Sequence, residues 1–449
     1  MSFARARAEE ALLRTAVIFH ERQAREGARL ASRLDLDEDL LVEARALQSF
    51  EPRAELALAL ARRRAEAPAT GPRHSFAAAF TLASVDGEAA VAEAVRAAPL
   101  CHPDDRAAFA MALGLAAPVS PGERATEGSL SKALLALLPG SDSPVLRLAC
   151  EALRLRGAAP FAESVVLLNH PAGSVVAEAA RTLTAACRAR PEVEAGRAIL
   201  GRALADATGS RALALAEAQL SLGDPGGLAF ARASLTREIA APHLTDESRL
   251  GCLRLLALGG EAGDVELFFR SLEPLGADAT AVGWFGHADL VEWLVASFEA
   301  ASDARRASGG PPHAFEVAAS AALDRITGAA RQGQLEGPEG PHGLAEASSW
   351  RSFWRMARTR FERGVRYRFG EPFTPAMTLD ELEGAAAPAD RREAATELAA
   401  ASGGAARVEL GSLAARQRDD LAAARAWLAS AGYAPGAFTG ASRRGLPSP

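Results

Sequence analysis

The sequence predicts an all-α protein, an α-solenoid of HEAT-like helical hairpin repeats, on three grounds. Ala, Leu and Arg dominate, Tyr occurs only twice and β-branched runs are short, a balance that favours helix over sheet. Apolar residues recur at helical spacing between Gly and Pro stops. One two-helix unit is also written twice. RLACEALRLRG, a short turn and FAESVVLLNHP span Arg147 to Pro171, and RLGCLRLLALGG, a short turn and DVELFFRSLEP span Arg249 to Pro274. Arg147, Cys150, Leu153 and Gly157 keep the spacing of Arg249, Cys252, Leu255 and Gly259. A helix stopped by Gly, a tight turn and a second helix stopped by Pro form the unit that stacks in helical-repeat proteins. Cys150 and Cys252 are expected in the core, and Arg147 and Arg249 are expected to ladder on one face with Asp142 and Asp246 near their helix starts.

Taken in order, the chain divides into an N-terminal helical region (1–70), a repeat array (75–328), a C-terminal capping region (345–433) and a tail (434–449) expected to be disordered. Residues 3–34 are expected as one helix, with Leu12, Leu13, Ala16, Phe19 and Gln23 on one side. In LDLDEDLLVEARALQ, Asp35, Asp37 and Asp39 suggest a calcium loop. The turn position holds Leu40 instead of Gly and the bidentate position Ala46 instead of Glu, so the acids are assigned to a helix first turn. A helix over 52–66 and a loop over 66–74 follow.

Within the array, openings such as CHPDDRAAF, NHPAGSVV and GHADLVEWL set His102, His170 and His287 beside acidic or Ser caps, with His243 in a related phrase. These histidines are expected to be turn residues, because stacked repeats about 10 Å apart keep them from converging on a metal. Leu290, Leu294 and Phe298 form one stripe, and Phe315, Ala319, Ala322 and Ile326 another, with Gly328 as C-cap; a Gly/Pro loop over 302–313 separates them. A linker (331–344) leads to the most aromatic and basic stretch, then to helices over 383–404 and 416–433.

Composition excludes several functions. Net charge is −6, and Arg alternates with Glu and Asp as on solvated helix faces, so a nucleic-acid stripe is disfavoured. Lys132 is the only lysine and follows no Gly-rich loop, which removes phosphate-loop enzymes. No G-x-S-x-G elbow, HExxH motif or CxxC pair occurs, and GGEAGDVE follows a helix where a dinucleotide site needs a strand. Cys101, Cys150, Cys187 and Cys252 are too dispersed for a disulfide framework. No catalytic, metal or cofactor residue is assigned. No apolar run reaches the length of a membrane span and no secretory signal opens the chain, so a cytoplasmic location is expected.

The FHERQ phrase of the first helix, Ile326-Thr327-Gly328 at the end of the array, GVRYRFGEP and RREAATELA together resemble an uncharacterised proteobacterial family of HEAT-like repeat proteins found in myxobacteria and pseudomonads. The chain departs from that pattern at Trp284-Phe285, where Leu-Gly is usual. The resemblance implies an α-solenoid without established catalytic residues. Some members lie near type VI secretion genes, which implies an accessory or adaptor role.

The stretch SSWRSFWRMARTRFERGVRYRFGEPFTP supplies the candidate partner-binding residues: Trp350, Trp354, Arg358, Arg363, Arg366, Tyr367 and Arg368. Arginines beside aromatics can grip a carboxylate or phosphate bidentately. The competing expectation is a cap, with Trp350, Trp354 and Phe361 plugging the end of the array and the arginines pairing acids of the last repeat. The expected function is a non-enzymatic protein-binding scaffold or adaptor using the concave solenoid face. The alternative is a nucleic-acid-binding HEAT-like protein of the DNA-glycosylase kind, and a bilin-lyase-like use of the fold has no specific support.

Overall fold

The computed structural model describes residues 3–48, 61–62, 71–84, 88–116, 129–140, 142–242, 244–273, 278–308, 314–335 and 346–438. They hold twenty-one α-helices and a single two-stranded hairpin, so the chain is all-α. No helix among the described residues is long and apolar enough to cross a membrane. Two compact units divide the chain. The first comprises Met1–Ala207, Glu381–Ala395 and Val408–Ala423; the second comprises Thr208–Asp380, Thr396–Arg407 and Ala424–Pro449.

The first unit carries α1 (Phe3–Ala24), α2 (Leu30–Gln48), α3 (Pro72–Ser84), α4 (Glu88–Ala97), α5 (Arg106–Leu115), α6 (Ser129–Leu135), α7 (Ser143–Arg156), α8 (Phe161–Leu167), α9 (Gly173–Ala186) and α10 (Arg190–Ala205). Alternate helices form a row: α1 packs on α3, α3 on α5, α5 on α7 and α7 on α9. The intervening helices lie beside the row, with α4 against α6 and α8 against α9. Ser75 to Ser84 of α3 are all buried, so this helix has no free face over that span. Close approach depends on small residues. A Cβ at Gly114 of α5 would lie 2.6 Å from Leu155 Cβ of α7.

Several expectations need correction in this unit. The first helix ends at Ala24, and residues 25–29 turn, because Gly27 O accepts from Ala386 N at 2.9 Å and a Cβ at Gly27 would meet Ala386 O. Leu13 and Gln23 are exposed and fall off the buried stripe of Leu12, Ala16 and Phe19. Asp35, Asp37 and Asp39 lie in the body of α2 and not in its first turn, and Asp37 is buried while its two neighbours are exposed. Pro72 starts α3 inside the expected loop, as Pro can at a helix start. The helix expected over 52–66 lies outside the described residues except for Ala61 and Arg62, which are helical.

The second unit carries α11 (Gly209–Ser221), α12 (Gly226–Ala240), α13 (Asp246–Gly259), α14 (Val265–Arg270), α15 (Ala279–Phe285), α16 (Val291–Ser308), α17 (Ala314–Thr327) and α18 (Ala347–Ala357). The same alternation holds: α11 packs on α13, α13 on α15 and α15 on α17, with α12, α14, α16 and α18 beside them. The loop expected over 302–313 starts later, since α16 runs to Ser308. Helices α19 (Pro375–Glu383), α20 (Pro388–Ala401) and α21 (Ala414–Ala431) give residues to both units.

The repeated sequence unit folds as a repeated helix pair, α7–α8 and α13–α14, with Cys150 and Cys252 buried as expected. All four cysteines are free and buried, and burial pushes the Cys150 thiol up to about 12 and Cys252 to about 11. The copies stop differently: Gly157 is a left-handed C-cap, whereas Gly259 stays helical and Gly260 is extended. Pro274 lies outside the described residues. The two arginines are not equivalent either. Arg147 is exposed, whereas buried Arg249 donates to Asp278 at 2.7 and 3.1 Å and to Ser271 O at 2.9 Å, so the expected ladder with Asp142 and Asp246 is replaced by a buried pair. The histidine openings share one device. Nδ1 of His102, His170 and His287 each accepts from the backbone N–H two residues on, at 3.4, 3.1 and 3.2 Å. His243 lies outside the described residues.

Ala319, Ala322 and Ile326 of α17 are buried, Gly328 is its left-handed C-cap, and a Cβ at Gly283 of α15 would lie 2.8 Å from Ala322 Cα. Ala322→Leu should therefore overpack the α15–α17 contact and lower stability by about 1–3 kcal/mol, measured by urea unfolding.

Candidate functional site

The arginine-rich stretch folds into α18, a short turn and the hairpin formed by β1 (Tyr367–Arg368) and β2 (Glu371–Pro372). Its two-residue turn, Phe369-Gly370, has φ of 52° and 85°. A type I′ hairpin turn needs both values positive, because that twist matches the strands. Phe369 is the one non-glycine residue with positive φ among the described residues, so something must hold it there. Helix α17 does. Phe369 N donates to Arg325 O at 2.6 Å and Gly370 N to Ile326 O at 3.0 Å, meeting carbonyls that the helix end leaves without partners. Phe369 O accepts from Gln332 Nε2 at 3.1 Å, and Arg331 lies 3.7 Å over the Phe369 ring.

Behind the turn, Arg366 and Arg368 converge on Glu397 of α20. Arg368 is bidentate, with Nη1 to Oε2 at 2.8 Å and Nη2 to Oε1 at 2.7 Å. Arg366 Nη2 also donates to Oε1, and further to Trp284 O at 2.6 Å and Ala257 O at 3.3 Å. Those carbonyls end α15 and α13, so a positive group sits at the negative end of each helix. Thr378 Oγ1 completes the carboxylate by donating to Oε2 at 2.7 Å. All three charged residues are essentially inaccessible, at 1, 1 and 0% exposure, so none is open to a partner. Burial pushes the Glu397 carboxyl up, but Arg368 and Arg366 outweigh it and hold the group below the ordinary glutamate range. Aromatic rings line the cluster: Phe373 lies 4.2 Å from the Arg366 guanidinium, and Trp284 is held between Arg368 (4.6 Å) and Arg325 (3.8 Å).

The seven candidate residues thus separate. Trp350, Trp354, Arg366, Tyr367 and Arg368 are buried, and their side chains are correspondingly unavailable as a recognition surface. Trp354 packs on Phe361 at 5.2 Å and Phe361 on Tyr367 at 4.8 Å, which ties α18 to the hairpin. Arg358 and Arg363 are exposed and lie 3.7 and 3.9 Å from Glu292 and Asp289; Arg351 pairs with Glu299. These acids belong to α16 and the turn before it. Arg355 and Arg360 have no ion partner among the described residues, and Met356 between them is 71% exposed. The exposed part of the stretch is thus the solvent side of α18 and of the turn that follows it.

Sequence reasoning missed Glu397 and Trp284 as members of the cluster. The two phrases GVRYRFGEP and RREAATELA carry its three charges and meet only in the fold. Glu397 sits mid-helix in an ordinary Ala/Glu pattern, where nothing local separates a buried glutamate from a solvated one. Among the described residues no three His, Cys, Asp or Glu side chains are grouped to hold a metal ion.

Glu397→Gln should lower stability by about 3–5 kcal/mol in urea unfolding, because it leaves two desolvated guanidiniums without their carboxylate. The sign of the pH dependence follows from the lowered folded pKa. The stabilisation by Glu397 is full above the unfolded glutamate value and is lost as pH falls through the lower folded value. Acid unfolding of the variant should show a smaller loss across that window than the wild type. No protein-family model matches the chain, and comparison with curated proteins finds no match.

Proposed function

We propose that the protein is a non-enzymatic scaffold: a HEAT-like α-solenoid that holds a protein partner. The solenoid reading is supported by the alternation in each unit, where every second helix packs on the next but one and a short helix returns between them. In the first unit α3 is buried over Ser75–Ser84, which leaves it no surface to offer a partner. The binding reading rests on the solvent side of the end of α18 and the turn after it. Arg355 and exposed Met356 lie in the last turn of α18 and Arg358, Arg360 and Arg363 follow; Arg358 and Arg363 have acids at 3.7 and 3.9 Å, and Arg355 and Arg360 have no ion partner among the described residues. Exposed arginines held this loosely gain little from their own chain. An apolar, flexible Met at their centre suits an acidic protein segment with one apolar anchor. The partner class is therefore an acidic protein surface. The resemblance in the sequence adds an accessory role in the cytoplasm, beside a secretion or other multiprotein assembly.

The double variant Arg355→Glu/Arg360→Glu tests the reading by affinity capture from the native host, with Arg190→Glu as an exposed control on α10. A specific partner recovered with wild type and control, and reduced at least tenfold with the double variant, is the expected result. Equal recovery by all three would overturn the assignment of this face.

A further inference from the structure

Three arginines of the first unit, Arg22 on α1, Arg33 on α2 and Arg391 on α20, are buried at 6, 2 and 2% exposure. Asp37 is the one buried carboxylate beside them, and it is already engaged. Arg22 Nε donates to Asp37 Oδ1 at 2.6 Å, while Asp37 Oδ2 accepts from Ala414 N, the first residue of α21, at 2.6 Å. Arg22 is completed by Ser412 O at 3.0 Å and by the Met111 sulfur at 3.7 Å. The other two guanidiniums are poorly served. Arg391 Nη1 reaches Ala28 O at 3.4 Å, and its Nη2 is buried without any hydrogen-bond partner. Arg33 makes no hydrogen bond or ion pair among the described residues. Glu26, the other acid in electrostatic reach, is exposed.

A desolvated charge without a counter-charge is among the least tolerable features of a folded chain. The arginine cluster of the second unit shows the ordinary solution, a carboxylate accepting from both guanidiniums, with two helix-end carbonyls accepting from Arg366 Nη2. Here three buried guanidiniums have one buried carboxylate, Asp37, and it pairs with Arg22 alone; the acid in electrostatic reach of both Arg33 and Arg391 is the exposed Glu26. Burial, and then the neighbouring Arg391 and Arg22, push Arg33 down to about 10, and burial also lowers Arg391. Guanidinium forks match the geometry of oxyanions, and Arg is the residue best suited to them.

We propose that Arg33 and Arg391, backed by Arg22, form a binding site for a small dianionic oxyanion of the phosphate class. The anion ties α1, α2 and the start of α20 together by supplying the acceptors that the chain lacks there. It is a structural ligand, independent of any partner on α18.

Inorganic phosphate is the probe, titrated into the full-length protein by isothermal calorimetry at fixed pH and ionic strength, with chloride as the balancing anion. Expected is saturable binding near one per chain, weakened at least tenfold in Arg33→Gln and in Arg391→Gln and unchanged in Arg190→Gln. Thermal unfolding supplies a second measurement. Phosphate at low millimolar concentration raises the Tm of wild type and not of Arg33→Gln, and in chloride alone Arg33→Gln is at least as stable as wild type, because an uncompensated buried charge has been removed. Absence of saturable phosphate binding by the wild type would overturn the site. So would retention of wild-type affinity by both glutamine variants. Should one variant fail to fold in chloride, the charge is compensated within the chain, and that outcome too counts against the proposal.

Discussion

Carbonyls at the C-terminal ends of helices have no partner within the helix, and in both units the late part of the chain supplies the missing donors. In the second unit the hairpin turn gives two backbone N–H groups to the end of α17, and Arg366 reaches the ends of α15 and α13. In the first unit Arg416 donates to Arg154 O at 3.3 Å and Leu155 O at 3.0 Å, at the end of α7, and Ala386 and Arg391 serve the turn after α1. A row of helices, each stopped by Gly or a turn, presents a series of such ends. The constraint that these groups be met explains why so much of the chain beyond residue 375 follows the helix ends instead of forming a separate core.

Arginine makes this arrangement workable. Its planar fork lets Arg368 hold a carboxylate bidentately, while Arg366 Nη2 meets the same carboxylate and the carbonyls at two helix ends. The cost is desolvation, and the two units meet it differently. Glu397 accepts from both of its arginines and from Thr378, which makes the cluster a fixed joint although one carboxylate meets two positive charges. Asp37 serves one guanidinium and one helix N-terminus and leaves two arginines without a counter-charge. A closed cluster of the first kind specifies packing; an open one of the second kind is a place for a ligand.

The same physics separates structure from recognition in the aromatic, arginine-rich stretch. Its inward residues, Trp350, Trp354, Tyr367 and the two arginines of the hairpin, are consumed by burial, ring contacts and helix-end capping. Its outward residues pair at the surface, Arg351 with Glu299 and Arg358 and Arg363 more loosely with Glu292 and Asp289, where an ion pair contributes little. The solvent side of the stretch is the part left exposed.

Local pattern determined a good deal. Helical period, Gly and Pro stops and the doubled unit were enough for an all-α chain, for Cys150 and Cys252 in the core, for the stripe of Ala319, Ala322 and Ile326, and for Gly328 as a cap. Each depends on interactions within a few residues or on one face of one helix. Tertiary structure alone decided the rest. Arg147 and Arg249 stand at equivalent positions in the repeat, yet one is exposed and the other is buried on Asp278, because only the second finds a carboxylate in the following segment. Asp37 looked like one of three solvated acids until α21 and Arg22 closed on it. Glu397 looked like any surface glutamate. A charge becomes structural only through partners far along the chain, and the sequence around it carries no mark of those partners.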